Sequence, residues 1–548
     1  MELDRQVPHG TAMATALKRA PARDGWIHLP DLPVTYRGPT HLGTPPFGTE
    51  GRDRPVLQSL GMVARRAPDG IAYADVSRGL TFAKVQAAVA KLAAALQAME
   101  GDGPVGLLMP GGVAAPIGML ACLAAGRPSL LLDASHAPAR NAALLQRAGA
   151  ASVLGPVAAE EAARLAGLKM LALETAFSGG MPPASASGPV LGRDEVAFIL
   201  CTSGSTGEPK MVAYSQRGIL QQLRIVLDGM CAGEDDRCLL LIPPATIAGL
   251  ITLLMPLHGT AVDLLPLTEL GIAELRQRLR THPPSILRAG PSLLRTIAAL
   301  PDAPAMMASL RALRVSGEPL LRADLELLSR CLPPACLVYN RYGSTELIGT
   351  SWVARLDDDH DPMRTAAGLP EAEVEVKIVD AAGNACPPGE QGELWMRGRY
   401  AALGEWSAEG LAPGRLEHDR DDPALRVYRT GDVARLTLDG VLVVLGRLDR
   451  MVKVNGHRVE LAEVETALRR NAEVNQAAVV AREVAGRVTL RAFIVASADA
   501  LPGLELRLRQ SLRASLPAYM QPARIELLDA LPLLPGGKLD ERALLARD

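Results

Sequence analysis

Residues 195–210 read EVAFILCTSGSTGEPK, an apolar run followed at once by a loop of glycine, hydroxyl residues and one lysine. The run EVAFIL has the length and make-up of a buried strand. The loop that follows holds Thr202, Ser203, Gly204, Ser205, Thr206, Gly207 and Lys210. Its two glycines free the backbone to turn tightly, so that exposed amides and three kinds of hydroxyl can surround phosphate oxygens. Lys210 adds a positive charge. A P-loop would carry a GKS or GKT ending after four intervening residues. That ending is missing, which argues against a GTPase-type nucleotide site.

On either side of this loop the chain alternates strand and helix patterns. PVLQSLGMVARRAP and TFAKVQAAVAKLAAALQAM carry apolar residues at helical spacing, while GPVGLLMP and RPSLLLDA are short apolar runs bounded by Gly, Pro or Asp. The alternation continues through RCLLLI, ELRQRLRTHPPSILRAG, LRALRVSGEPL and ACLVYN to about residue 350. Strands alternating with helices imply a parallel sheet covered on both faces. From about residue 370 the period changes. VEVKIVDAAGNACPPGEQGELWMRG alternates apolar and polar residues around turn signals, which predicts antiparallel strands. HRVELAEVETALRRN starts an amphipathic helix, and VNQAAVVAREVAGRVTLRAFIVAS reads as a hairpin. Residues 1–55, rich in Pro, Gly and His, read as a loosely packed extension, and 181–193 as a Pro/Ser/Gly loop.

At 548 residues the chain is long enough for several domains. Apolar residues are 48% and charged residues 22%, which is ordinary globular usage. The net charge of −2 gives no basic footprint for nucleic acid or an anionic membrane, and 3% aromatics leave little for base stacking. The seven cysteines are scattered and form no CxxC pair, so reduced thiols in a cytoplasmic protein are expected, with no disulfide frame and no zinc site. The N-terminus has no continuous apolar core of a secretory signal. Residues 238–257, CLLLIPPATIAGLITLLMPL, have a bilayer-spanning length, but Pro243 and Pro244 would break a helix inside them. A buried strand, a turn and an apolar helix are expected there, and no membrane span.

Further motifs follow the loop in order: Ser316-Gly317-Glu318-Pro319-Leu320, Asn340-Arg341-Tyr342-Gly343-Ser344-Thr345-Glu346, Gly392-Glu393-Leu394, Tyr428-Arg429-Thr430-Gly431-Asp432, Gly446-Arg447-Leu448-Asp449-Arg450, Lys453-Val454-Asn455-Gly456-His457-Arg458-Val459-Glu460, Leu516-Pro517-Ala518-Tyr519-Met520 and Gly537-Lys538-Leu539-Asp540. With this set and order, the chain resembles the adenylate-forming superfamily of acyl-CoA synthetases, nonribosomal peptide synthetase adenylation domains and luciferases, from about residue 55 to 545. The resemblance implies an α/β fold. A large N-terminal domain (56–448) would hold two mixed αβ-layered subdomains and a small β-barrel-like subdomain. A small, mobile α+β C-terminal domain (449–548) would follow.

The resemblance also implies a reaction. A carboxylate is joined to the α-phosphate of ATP, and the acyl group of the resulting acyl-AMP passes to a pantetheine thiol of a carrier protein or of CoA. Two anions must be held together, which calls for offsetting charge. The hydroxyl-rich loop would hold the β- and γ-phosphates, with Mg²⁺ on Glu346 and Thr206 beside the same phosphates. A carboxylate next to triphosphate makes chemical sense only with such a cation. Asp432 would accept hydrogen bonds from the ribose, Arg447 would lie near ribose or α-phosphate, and Tyr342 would flank the adenine. Gly317, Glu318, Asn340, Gly343, Ser344 and Thr345 would complete the nucleotide site. Lys538 would bring a flexible point charge to the α-phosphate and attacking carboxylate. Asp449 would be the hinge that later presents the face around Lys453 and Gly456 to the thiol.

The sequence departs from family pattern in three places. Thr246 in PPATIAG stands where an aromatic or His gate is usual. No acidic residue occurs from Leu239 to Val262, where peptide-synthetase domains place an Asp against the substrate ammonium, so a free α-amino acid is disfavoured. Arg341 occupies a position that lines the acyl pocket in those domains. It would pair there with a second carboxylate or a hydroxyl, or else turn outward to solvent or phosphate. Ten residues follow Lys538. A discrete carrier protein acting in trans is therefore the expected partner, with CoA or an amine as other acceptors. The arginines of ALRRN and LRLRQSLRASL either face an acidic carrier or are solvated helix faces.

Overall fold

A computed structural model describes residues 25–28, 46–178, 191–203, 209–362, 364–448, 451–454, 457–484, 487–497, 500–516, 518–534 and 539–547. The apolar runs become strands, as their make-up predicts. Val105–Met109 and Ser129–Asp133 lie side by side in parallel and are almost wholly buried. With Ser152–Gly155, Met170–Ala172 and Val196–Ser203 they form the parallel part of an eight-stranded sheet. Pro209–Ser215 folds back antiparallel on Val196–Ser203, so the glycine- and hydroxyl-rich loop joins the two arms of a hairpin.

A nine-stranded sheet holds Arg237–Leu240, Ala261–Leu264, Ile286–Ala289, Ala312–Val315 and Leu337–Gly343 in parallel, with antiparallel strands at its edges. Helices cover these sheets, and their starts are legible in the side chains. Thr81 caps Phe82–Gln97 by accepting from the Lys84 amide, and Ser215 caps Gln216–Met230 by accepting from the Gly218 amide. One large apolar core runs between the two sheets and takes in Leu107, Phe198, Leu223, Leu250 and Val262.

In residues 238–257, the strand Arg237–Leu240 is followed by a Pro243–Pro244 turn and the helix Ile247–Leu253, as expected. Thr246 is the N-cap of that helix: its Oγ1 accepts from the Gly249 amide at 3.0 Å and its hydroxyl donates to the Pro243 carbonyl at 2.8 Å. Among the described residues no helix is long and apolar enough to cross a membrane.

Beyond residue 370 the change of period becomes a six-stranded antiparallel sheet. Val374–Val379 and Gln391–Gly398 bury alternate residues, and Arg426–Leu436 and Leu442–Arg447 continue the sheet. No pairing among the described strands closes it into a barrel. The C-terminal part has its own core, built on the helix Leu461–Arg469 against a three-stranded sheet that starts with the hairpin Val474–Val484 and Arg487–Ala496. The N-terminal segment is better packed than its composition suggests. Ile27–His28 adds an edge strand to the antiparallel sheet, and the Phe47 amide donates to buried Asp228 at 2.6 Å at the start of the helix Gly48–Asp53.

Candidate active site

Three segments distant in sequence converge on Asp432. It lies on Arg426–Leu436 directly opposite Arg447 on Leu442–Arg447. Arg447 Nη1 donates to Asp432 Oδ1 at 3.1 Å and to the Thr430 carbonyl at 3.3 Å. Tyr342, from the nine-stranded sheet, donates its hydroxyl to Asp432 Oδ2. Burial, reinforced by the Asp432 charge, pushes the Tyr342 phenol well up, so it stays a donor at neutral pH. Gly431 between them has φ +70°, a left-handed backbone that glycine adopts without strain. The carboxylate expected to hold ribose is thus pre-oriented by a tyrosine and an arginine. A ribose hydroxyl must share its oxygens with them.

Glu346 sits beyond an irregular turn. The strand register shifts between Tyr342 and Gly343, and a Cβ on Gly343 would stand 2.5 Å from the Ile348 Cα. Only glycine allows that approach. Ser344 Oγ then accepts from the Glu346 and Leu347 amides at 3.2 and 3.3 Å. Tyr214 Oη lies 2.9 Å from the Thr345 carbonyl and 3.1 Å from that of Glu346, and the Ala402 amide donates to the latter at 2.9 Å. Tyr214 belongs to the hairpin of the glycine- and hydroxyl-rich loop. Its hydroxyl therefore ties that hairpin to the Glu346 segment, 132 residues away. The Tyr428 phenol is pushed up to about 12, first by burial and then by the Glu346 carboxylate, with Asp432 adding to the effect. The two carboxylates therefore share one neighbourhood.

Among the described residues no group of three or more His, Cys, Asp or Glu side chains could enclose a metal ion. A single buried carboxylate still fits Mg²⁺, which keeps several waters and is commonly held by one or two carboxylates plus substrate phosphates. Glu346 is the residue that would hold it.

The other candidates fall out unevenly. Thr202 lies opposite Lys210, and Ser203 opposite Pro209, at the loop end of the hairpin. Gly204, Ser205, Thr206 and Gly207 lie outside the described residues. Lys210 is not the unmatched charge that the sequence suggests: its Nζ is 2.8 Å from Glu405 Oε1. Gly317 has φ +93°, and Glu318 accepts a hydrogen bond from the Ser292 hydroxyl. Asn340 turns inward and donates to the Ala366 carbonyl at 2.8 Å.

Arg341 requires a correction. It faces neither solvent nor an open acyl site. Its Nε and Nη2 form a bidentate pair with Glu371 at 2.7 and 2.6 Å, and Nη2 also donates to Gln222 at 2.7 Å. The two charged side chains are 2% and 0% exposed. A buried guanidinium needs such a partner, and the chain supplies one of its own.

Lys538, Asp449 and Gly456 lie outside the described residues. For Lys453 only the backbone is described, in a strand opposite Arg458. Of the arginines offered for a carrier, Arg507 pairs with Glu473 at 2.6 Å and Arg509 with Glu505 at 2.9 Å. All seven cysteines are free, and burial pushes the Cys122, Cys201, Cys238 and Cys336 thiols up to about 12, which makes them poor nucleophiles. Sequence reasoning missed Tyr214, Gln222, Glu371 and Glu405. A tyrosine inside the apolar strand PKMVAYS was the one available signal, since a buried phenol needs a hydrogen-bond partner.

The chain matches the AMP-binding enzyme family over residues 61–406 and the AMP-binding enzyme C-terminal domain over residues 463–538. It is 33% identical over 552 aligned residues to phosphinothricin tripeptide synthetase PhsC of Streptomyces viridochromogenes, with 98% of this chain and 49% of that protein covered. The chain spans about half or less of the length of the curated relatives it matches best. A four-domain nonribosomal peptide synthetase bound to AMP and glycine has a similar fold, with TM-score 0.79, 24% identity and coverage of 91% of this chain and 36% of that one. So does the amide bond synthetase McbA from Marinactinospora thermotolerans, with TM-score 0.74, 24% identity and coverage of 90% and 99%. With these matches added to the ordered motifs and the Asp432 and Glu346 clusters, the chain belongs to the AMP-binding enzyme family, within the adenylate-forming superfamily.

Proposed function

We propose that this chain activates a small carboxylic acid with ATP and Mg²⁺, and transfers the acyl group to a thiol. In the first step a carboxylate oxygen attacks the α-phosphorus, the bond to the β-phosphate oxygen breaks, and pyrophosphate leaves. In the second a thiolate attacks the acyl carbonyl and AMP leaves. The convergence of Tyr342, Asp432 and Arg447 beside Glu346 is the observation that carries this reading. It supplies a carboxylate for ribose hydroxyls and, close by, a second carboxylate suited to a phosphate-bound cation.

In this reading Mg²⁺, when bound, neutralises the triphosphate and is held by Glu346 together with Thr206. Thr202, Ser203, Gly204, Ser205, Gly207 and Lys210 hold the β- and γ-phosphates. Gly317, Glu318, Gly343, Ser344 and Thr345 shape the nucleotide site. Asn340 and Arg341 act from beneath it, through the buried contacts described above. Lys538 delivers the last positive charge to the reacting oxygens, where it offsets the approach of two anions. Lys453 and Gly456 border the path of the thiol, and Asp449 is the hinge.

The acceptor we favour is the pantetheine of a discrete carrier protein, supported by similarity to a tripeptide synthetase across nearly the whole chain. CoA and an amine are the other acceptors. ATP–pyrophosphate exchange across a panel of acids, with Lys538→Ala alongside, tests the reading. Exchange that depends on one acid and falls by about a thousandfold in the variant is expected, the scale of losing a major electrostatic contact to the transition state. Full exchange in Lys538→Ala would remove that lysine from the mechanism. Absence of exchange with every acid would leave a nucleotide-binding module.

A further inference from the structure

Three arginines lie together on one buried face of the nine-stranded sheet. Arg288 and Arg314 are register partners on Ile286–Ala289 and Ala312–Val315, and Arg314 is next to Tyr339 on Leu337–Gly343. Alternation along that last strand puts Arg341 on the same face as Tyr339. Arg288 and Arg314 are 2% and 3% exposed. Arg288 Nη1 donates to Thr252 Oγ1 at 3.1 Å, so this face looks toward the helix Ile247–Leu253.

The cluster is short of negative charge. Glu371 matches one guanidinium, that of Arg341. Among the described residues neither Arg288 nor Arg314 forms an ion pair. Arg288 Nε, Arg314 Nε and Nη2, and Arg341 Nη1 are buried with no hydrogen-bond partner. Burial, with repulsion from Arg341, pulls the Arg288 guanidinium down to about 9. Arg314 is lowered by burial first, and then by both neighbouring arginines. An ordered water could satisfy an N–H but would not offset a charge. Uncompensated buried cations cost stability, and an anion that arrives with a ligand would relieve that cost.

Position says which ligand. Arg288 is two residues before Gly290, Arg314 is two before Ser316, and Arg341 immediately precedes Tyr342. The cluster therefore sits directly beneath the loops of the nucleotide site, at the carboxyl ends of parallel strands, where open α/β sheets bind ligands.

Resting on the adenylating reading above, we propose that Arg288, Arg314 and Arg341 receive a second anionic group on the acid being activated, so that the substrate is a dicarboxylate or a carboxylate bearing a phosphonate. One carboxylate reacts at the α-phosphate while the other acid group descends to the guanidiniums. The missing acidic residue between Leu239 and Val262 fits this, since no substrate ammonium then needs a partner there.

The test compares malonate, succinate, glutarate and phosphonoacetate with acetate, butyrate and benzoate in pyrophosphate exchange. The same acids are used in thermal shift without ATP, on wild type, R288M and R314M. Exchange with a diacid at least about tenfold above every monoacid is expected, the worth of one charge-assisted hydrogen bond. So is a rise in wild-type Tm with the same diacid. Both should be lost in R314M, whose ligand-free Tm should equal or exceed that of wild type because an unmatched buried charge is gone. Monoacids exchanging as well as diacids in wild type would overturn the proposal whatever the variants do. Undiminished diacid preference in R314M or R288M would overturn it too. If no acid gave exchange but a diacid raised the Tm of wild type alone, the anion receptor would stand and the adenylating reading would fall.

Discussion

Asp432 is the residue on which the nucleotide site turns, and its surroundings define a sharp test. Asp432→Ala removes the acceptor for ribose and leaves the Tyr342 hydroxyl and Arg447 without it. Hydrogen bonds to a charged group are worth about 1.5–3 kcal/mol, so KM for ATP should rise about ten- to a hundredfold. Steady-state pyrophosphate exchange measures it, and an unchanged KM would remove Asp432 from the site. Lys210 gives a second test. Its pair with Glu405 is about one quarter exposed, where such pairs are worth at most about 1 kcal/mol. Glu405→Gln should therefore leave Tm within a degree or two. If Lys210 then serves phosphate more fully, KM for ATP falls a few-fold; a rise would give Glu405 a role of its own.

Among the elements, two devices hold the Glu346 segment against the hairpin. One is the Tyr214 hydroxyl on the Thr345 and Glu346 carbonyls. Tyr214→Phe loses that hydrogen bond and leaves buried acceptors, at a cost of about 1–3 kcal/mol. Thermal unfolding should shift down by a few degrees, and exchange activity should fall more than nucleotide affinity if Glu346 is displaced. The other is the close approach at Gly343. Gly343→Ala puts a Cβ 2.5 Å from backbone, which no side-chain rotation relieves. The strand end must move, so exchange activity should drop at least about tenfold while circular dichroism stays native. Full activity would show that the turn tolerates the shift. These elements were partly legible. The alternation in VEVKIV and the capping threonine before Phe82–Gln97 are local signals, and the strand and helix formed where they predict. The bulge at Gly343 left no such trace, because it depends on what packs opposite it.

For the molecule as a whole, buried thiols and phenols make a statement about pH. The Cys122, Cys201, Cys238 and Cys336 thiols are raised from an ordinary 9 to about 12, and the Tyr428 phenol from 10 to about 12. Groups raised in the folded state bind protons that the unfolded chain gives up. Their contribution is therefore intact below about pH 9 and is lost progressively toward pH 12. Tm should fall steeply as pH rises from 9 to 11, and the native protein should resist thiol reagents at pH 8 at these four positions. A flat Tm over that range would mean that the thiols ionise without unfolding.

The sequence by itself determined the layered α/β class, the change to antiparallel strands after residue 370 and the order of the nucleotide-site segments. Each of these is carried by short-range periodicity, glycine and proline. The tertiary structure alone decided which charges meet. Arg341 finds Glu371 and Gln222, 30 and 119 residues away, and Lys210 finds Glu405 at a separation of 195. The arginines in ILRA and ALRV look like ordinary strand residues until the register sets them side by side, far from water. Local sequence specifies backbone shape; the balance of buried charge is a property of the packed whole, where distant strands share one low-dielectric space.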